Sequence, residues 1–222
     1  MSLLIQWNYL LFQAVNAPAG RFPWLDAWMI FCANVLIFFW PLLLLMVWGI
    51  PMSWRRRTLR PEAVELLQER RAVVLWVAIA CLIAYALNLL IEQFVFEPRP
   101  FVSHQVHLLI THSADASFPS DHTAWSFAVV GMLLWNFLPR LLPRKGMHEG
   151  KGLVVDVSLR RQLWAFLTVA GVMGCAIGVA RVFVGVHYPD DIVAGAFDGL
   201  LGAYVVTRGR YWLSRPARQR LS

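Results

Sequence analysis

Three short stretches of this chain carry side chains suited to phosphate chemistry: EPRP at 97–100, SFPSDHT at 117–123 and ARVFVGVHYPDD at 180–191. Between them they hold Arg99 and Arg181, His122 and His187, Ser120, and several carboxylates that include Asp121 and Asp191. Two guanidiniums can hold a tetrahedral phosphoryl group through paired, charge-assisted bonds. Ser120, together with the N–H groups that open a helix at Asp121, can add donors where phosphate charge develops. A neutral His187 can attack phosphorus to give a phosphohistidine, while a protonated His122 gives its proton to the departing oxygen. Asp191, four residues after His187, can accept a bond from the other ring nitrogen, fixing the tautomer and steadying the imidazolium. The chemistry so described is phosphoryl transfer to water, with no cofactor and no obligatory metal. One histidine must be neutral while the other is protonated, which predicts a bell-shaped pH profile.

For stretches about 20 to 60 residues apart to meet, the intervening segments must return them to one level, and the composition says how. Hydrophobic residues make up 59% of the 222, and the chain has 11 tryptophans; its mean hydropathy is +0.56. A soluble domain is about 45–50% apolar, so this excess indicates a membrane protein, with tryptophans suited to the lipid–water boundary. A spanning helix needs about 20 mainly apolar residues. Five segments qualify, at about 25–49, 72–95, 122–139, 162–184 and 190–213. The stretch 3–16 is short and contains Gln6, Asn8, Gln13 and Asn16, so it reads as an interfacial or partly inserted helix, with a sixth span as the alternative. The expected fold is therefore all-α, a polytopic bundle of five to six transmembrane helices forming one integral-membrane domain over 1–222.

Seventeen of the 20 Lys and Arg residues fall in the links 50–71 and 140–161 and in the tail beyond 207. With five spans these regions share one side, which the positive-inside rule makes cytoplasmic. The other side holds only Arg21, Arg99 and Arg181, and all three phosphate-type stretches. The +7 formal charge is thus juxtamembrane and implies no nucleic-acid partner. Cys32, Cys81 and Cys175 lie inside apolar runs and read as small hydrophobes, not a disulfide framework. The opening MSLLIQWNYLLFQ has no basic n-region or small-residue cleavage pattern and does not read as a signal peptide.

The three stretches resemble the motifs of the type 2 phosphatidic acid phosphatases, K-x6-R-P, P-S-G-H and S-R-x5-H-x3-D. Here the second reads Pro119-Ser120-Asp121-His122 and the third Ala180-Arg181, then His187 and Asp191 at the family's spacing; the first keeps Arg99-Pro100 but has Glu92 in place of lysine. The resemblance covers about 80–210. It implies His187 as nucleophile, His122 as acid, Asp191 as orienting group, and Arg99, Arg181 and Ser120 as phosphate ligands, with the backbone of Asp121 beside them. The longer run 96–123 resembles the bacitracin-resistance type of undecaprenyl-diphosphatase. That subfamily implies removal of the terminal phosphate of a polyprenyl diphosphate at the outer face of the bacterial cytoplasmic membrane, recycling the cell-wall carrier lipid. The implied partners are that lipid and the bilayer.

Other readings stand beside this one. Ser120 and Asp121 also suit a helix cap, and Asp190 the first turn after Pro189. Glu92 could compensate Arg99, and Asp198 is a second ionisable residue within a span. His104, His107 and His112 have ligand-like spacing for a metal, or could meet a second phosphate. The same histidines would serve a phosphatidate or phosphatidylglycerophosphate phosphatase, or a lipid phosphotransferase. A non-catalytic lipid carrier is the alternative of another class.

Overall fold

Prolines mark several helix starts, because a fixed φ and a missing N–H suit the first helical turn. The computed structural model describes residues 3–49, 61–142 and 157–214. Its elements are α1 (Leu3–Asn16), α2 (Pro23–Asn34), a 3-10 turn (Leu36–Phe39), α3 (Trp40–Trp48), α4 (Pro61–Glu92), α5 (Pro100–Ser103), α6 (Asp121–Leu141), α7 (Val157–Phe183) and α8 (Pro189–Ser214). Among the described residues there is no strand, only an isolated antiparallel bridge between Pro98 and Ala116. The fold is the expected all-α membrane bundle.

The first expected span is broken. Residues 25–49 fold as α2, the 3-10 turn and α3, with a bend of 55°. Pro41, in the first turn of α3, has no N–H to give back to the preceding turn, so α2 cannot run straight on. Among the described residues, two helical segments are by themselves long and apolar enough to cross a membrane, Leu67–Glu92 and Arg160–Phe183; the bent pair makes a third if it is one span. Helices α6 and α8, of 21 and 26 residues, are long enough but are not among the segments apolar enough to meet that standard. They carry Asp121, His122 and Asp191 of the site and much of the buried polar interior, including Asn136, Asp198 and Thr207. Lipid-type side chains instead cover the outward faces, with Leu82, Val172 and Phe197 each more than 60% exposed.

The core joins Val73, Val77 and Ala80 of α4 to Met132, Leu133 and Phe137 of α6, and to Ile177 of α7. Helices α6 and α8 approach so closely that a Cβ on Gly199 would stand 2.2 Å from the Ala124 carbonyl oxygen. At the other end of the bundle, Arg70 donates from Nε to the Val47 carbonyl (2.8 Å) and from Nη2 to that of Met46 (3.2 Å), satisfying the last turn of α3. The links 50–60 and 143–156 and the tail from 215, with many of the basic residues that give the expected orientation, lie outside the described residues.

Helix α1 has 14 residues, fewer than a straight span needs. Its polar residues are used as fasteners. Asn16, 3% exposed, donates to the carbonyls of His107 (2.9 Å) and Phe183 (2.7 Å) and accepts from the His107 N–H (3.0 Å). Asn8 accepts from the Asp190 N–H at 3.2 Å. Both bind α1 to the connections that carry the site.

Candidate active site

Each functional side chain stands at a helix end or in the connection next to one. Arg99 follows α4, Asp121 and His122 open α6, Arg181 closes α7, and Asp191 lies in the first turn of α8. His187 occupies the short connection between α7 and α8. Gly185, at φ +89°, lets that connection turn; a Cβ there would meet the His107 carbonyl at 3.0 Å. Main-chain bonds tie the connections together. Ser117 N–H donates to Glu97 (2.8 Å), Leu109 N–H to Val184 (3.1 Å) and Ser120 N–H to Asp191 (3.1 Å). The three sequence stretches therefore do converge.

His187 is 3% exposed and its ring is held at both nitrogens. Nδ1 lies 3.1 Å from Asp191 Oδ2, and Nε2 lies 3.2 Å from Arg99 Nη1. A guanidinium can only donate, so Nε2 accepts and Nδ1 carries the proton that goes to Asp191. The nitrogen facing the arginine is thus the one with the lone pair. Asp191 Oδ2 also accepts from the Tyr188 N–H (2.7 Å) and from the Ser117 hydroxyl. Burial first, then the guanidiniums of Arg181 and Arg99, holds His187 well below the ordinary imidazole range, keeping it neutral.

Above this pair opens a cavity of about 550 Å³ whose walls include Arg99, Arg181, His122 and His187, three carboxylates (Glu92, Asp115, Asp121), and the apolar Tyr85, Leu89 and Trp125. The arginines are engaged from one short irregular segment, 112–115. Asp115 Oδ1 accepts from Arg99 Nε at 2.6 Å, and His112 Nε2 accepts from Arg181 Nη2 at 2.9 Å. Asp121 accepts from Asn88 Nδ2 at 2.8 Å. Ser120 takes the N-cap position of α6 but makes no side-chain capping bond, contrary to the capping expectation. Its hydroxyl, fully buried, accepts from Thr123 Oγ1 at 3.2 Å, and it does not line the cavity.

A profile of the PAP2 superfamily matches residues 73–215. The chain belongs to the PAP2 superfamily. As a member it is a membrane hydrolase acting on lipid phosphates. It is 29% identical over 202 residues to undecaprenyl-diphosphatase BcrC of Bacillus subtilis (strain 168), an alignment covering 90% of this chain and 83% of the relative. Among solved structures it resembles a PAP2-type phosphatidylglycerolphosphate phosphatase of Bacillus subtilis, with TM-score 0.61, 20% identity, and 97% and 90% of the two chains covered. It also resembles LpxE of Aquifex aeolicus, with TM-score 0.55, 22% identity, and 90% and 94% covered. At these identities the two structures speak for the PAP2 fold alone.

The departures from the PAP2 motifs have visible surroundings. Ala180 is fully buried in an apolar cluster with Cys32, Ala33 and Phe183, where a hydroxyl would find little use. Glu92 lines the cavity within Coulombic reach of Arg99, while the direct ion pair of Arg99 among the described residues is with Asp115. The three histidines that suggested a metal part company. His104 packs tilted against Tyr9 and edge-on to Tyr188, with centroids at 4.2 and 6.3 Å, and only His112 of the three reaches the cavity. Among the described residues, Glu97, Asp190 and Asp191 each offer a ligand atom within 4.8 Å of the others, an all-oxygen set of the kind hard cations take. Burial and those neighbouring carboxylates push Glu97 up to about 7. Sequence reasoning missed Ser117, Asn88 and Asp115. Ser117 and Asp115 lie within or beside SFPSDHT, but no period or spacing marks them.

Proposed function

We propose that this protein removes the terminal phosphate of a polyprenyl diphosphate, releasing the monophosphate lipid and inorganic phosphate at the extracytoplasmic face of a bacterial cytoplasmic membrane. The observation that carries the chemistry is the His187 ring: Nδ1 is committed to Asp191, and Nε2 presents its lone pair beside Arg99 in the cavity wall. Nε2 forms a bond to the terminal phosphorus as the bond from phosphorus to the bridging oxygen breaks. That oxygen takes the electron pair and a proton from His122. Arg99 and Arg181 exchange their present partners for phosphate oxygens. Water then attacks the phosphohistidine, giving its proton to His122 and releasing phosphate from Nε2.

The substrate class rests on two supports. The run 96–123 has the subfamily pattern, and an undecaprenyl-diphosphatase is among the relatives. Tyr85, Leu89 and Trp125 give the cavity an apolar side, so a lipid tail can stay in the bilayer while its head reaches the histidines. Carrier-lipid recycling and bacitracin resistance follow from that substrate. The test is phosphate release by the purified protein from undecaprenyl diphosphate beside phosphatidate. Faster release from the diphosphate is expected; release from phosphatidate alone would keep the chemistry and overturn the substrate.

The pH dependence has a defined sign. Protonation of His187 removes the attacking lone pair, and its pKa is lowered by burial and two guanidiniums. Loss of rate on acidification therefore begins only below the ordinary histidine value of about 6.5. The acid limb of kcat/KM, which reports the free enzyme, should lie below that value. A limb at or above it would contradict the assigned nucleophile.

A further inference from the structure

The cavity poses a charge problem that the clamp alone does not solve. Its wall sets two guanidiniums against three carboxylates, Glu92, Asp115 and Asp121. A lipid diphosphate brings about one more negative charge than a lipid monophosphate, and like charges confined together are costly. The lining offers three further groups able to carry a positive charge: His112, His122 and His187. His187 must stay neutral to attack, and the proton on His122 is committed to the leaving oxygen. His112 is the one left, and the catalytic steps make no use of it.

We infer that His112 is the specificity-determining residue that binds the second, non-reacting phosphate of a diphosphate substrate. The inference rests on the diphosphate reading above and assigns that preference to a particular side chain. The geometry suits the task. In-line attack with reacting atoms about 3 Å apart puts the second phosphorus roughly 6 Å from the attacking nitrogen. The rings of His112 and His187 have centroids 6.5 Å apart across the same cavity.

The present bonding of His112 shows how it would respond. Arg181 can only donate, so His112 Nε2 accepts at 2.9 Å and Nδ1 donates to the Ser113 carbonyl at 3.2 Å. Burial, then the charges of Arg99 and Arg181, lowers its basicity. A phosphate anion arriving on the arginines reverses that field, so His112 gains a proton and turns from acceptor to donor. Asp115, exposed and joined to Ser113 Oγ at 2.6 Å, gives up Arg99 in the same event. One short segment, 112–115, thus covers both arginines before substrate and adds a cation after it.

The test uses the full chain in detergent, with farnesyl diphosphate and farnesyl monophosphate as probes that share one tail. His112→Ala should lower kcat/KM for the diphosphate about 10- to 100-fold, the size of one lost charge-assisted bond, and change the monophosphate value by less than about 3-fold. His112→Gln retains an acceptor for Arg181 but no charge, and should also lose most of the preference. Equal losses on both probes, or full preference in the Gln variant, would make His112 only a support for Arg181 and overturn the inference. A wild type that prefers the monophosphate would overturn the diphosphate reading as well, and that result is visible before any variant is made.

Discussion

Replacing His187 with alanine should lower kcat/KM for lipid phosphate by about four or more orders of magnitude while the protein stays folded in the membrane. Loss of a covalent nucleophile leaves only water attack on a clamped phosphate, and removal of such groups in other enzymes has effects of this size. Stability should change far less. Asp191 loses the imidazole donor but keeps the Tyr188 N–H and the Ser117 hydroxyl. Arg99 Nη1 loses the ring nitrogen but keeps the Val186 carbonyl, so the net cost is about that of one buried hydrogen bond to a charged group, about 1.5–3 kcal/mol, together with some lost packing. The measurement is steady-state phosphate release beside thermal unfolding in detergent. Substantial turnover in a folded variant would end the phosphohistidine mechanism.

Gly199→Ala should be the most damaging small substitution away from the cavity. The added methyl would lie 2.2 Å from the Ala124 oxygen, 2.6 Å from the Ala128 nitrogen and 2.8 Å from the Phe127 carbonyl carbon. All three are backbone atoms, so no side chain can rotate away and α6 must separate from α8. Overpacking typically costs about 1–3 kcal/mol, and a backbone clash this close belongs at or beyond the upper end. Activity should suffer too, because α6 carries His122 while α8 carries Asp191 beside His187. A displacement of about 1 Å between catalytic groups can cost roughly 100-fold in rate. Gly171→Ala and Gly209→Ala are the controls. A Cβ at either meets nothing within 4 Å, and each should be neutral or gain about 0.5–1 kcal/mol of helix stability. Unfolding temperature and rate, measured for all three, check this; a Gly199→Ala protein as stable and active as the wild type would refute the close-packing account.

The same α6–α8 contact marks where reading the sequence stops. Gly195, Gly199 and Gly202 recur in the last span, but which neighbour they press on depends on how the helices are arranged in space. The break in the first span had a local signal, Pro41, within an apolar run long enough to pass as one helix. The irregular segment 104–120 had no usable period, and its path is held by distant partners: Asn16 binds its backbone at His107, and Val184 accepts from Leu109. For that reason Asp115 on Arg99, His112 on Arg181 and Ser117 on Asp191 were out of reach of spacing arguments.

What the sequence determined by itself was the class of molecule and the three stretches that the fold brings together. Apolar runs of spanning length alternate direction across a bilayer, so EPRP, PSDH and the His187–Asp191 stretch had to return to one face. A carboxylate four residues beyond a histidine, across the start of a helix, lies close enough to orient its ring. Only the tertiary structure decided which nitrogen of His187 keeps its lone pair, what each arginine holds before substrate arrives, and which polar residues reach the cavity. Those outcomes depend on contacts between residues as many as 88 positions apart, such as Arg99 with His187, and on burial that no local pattern encodes.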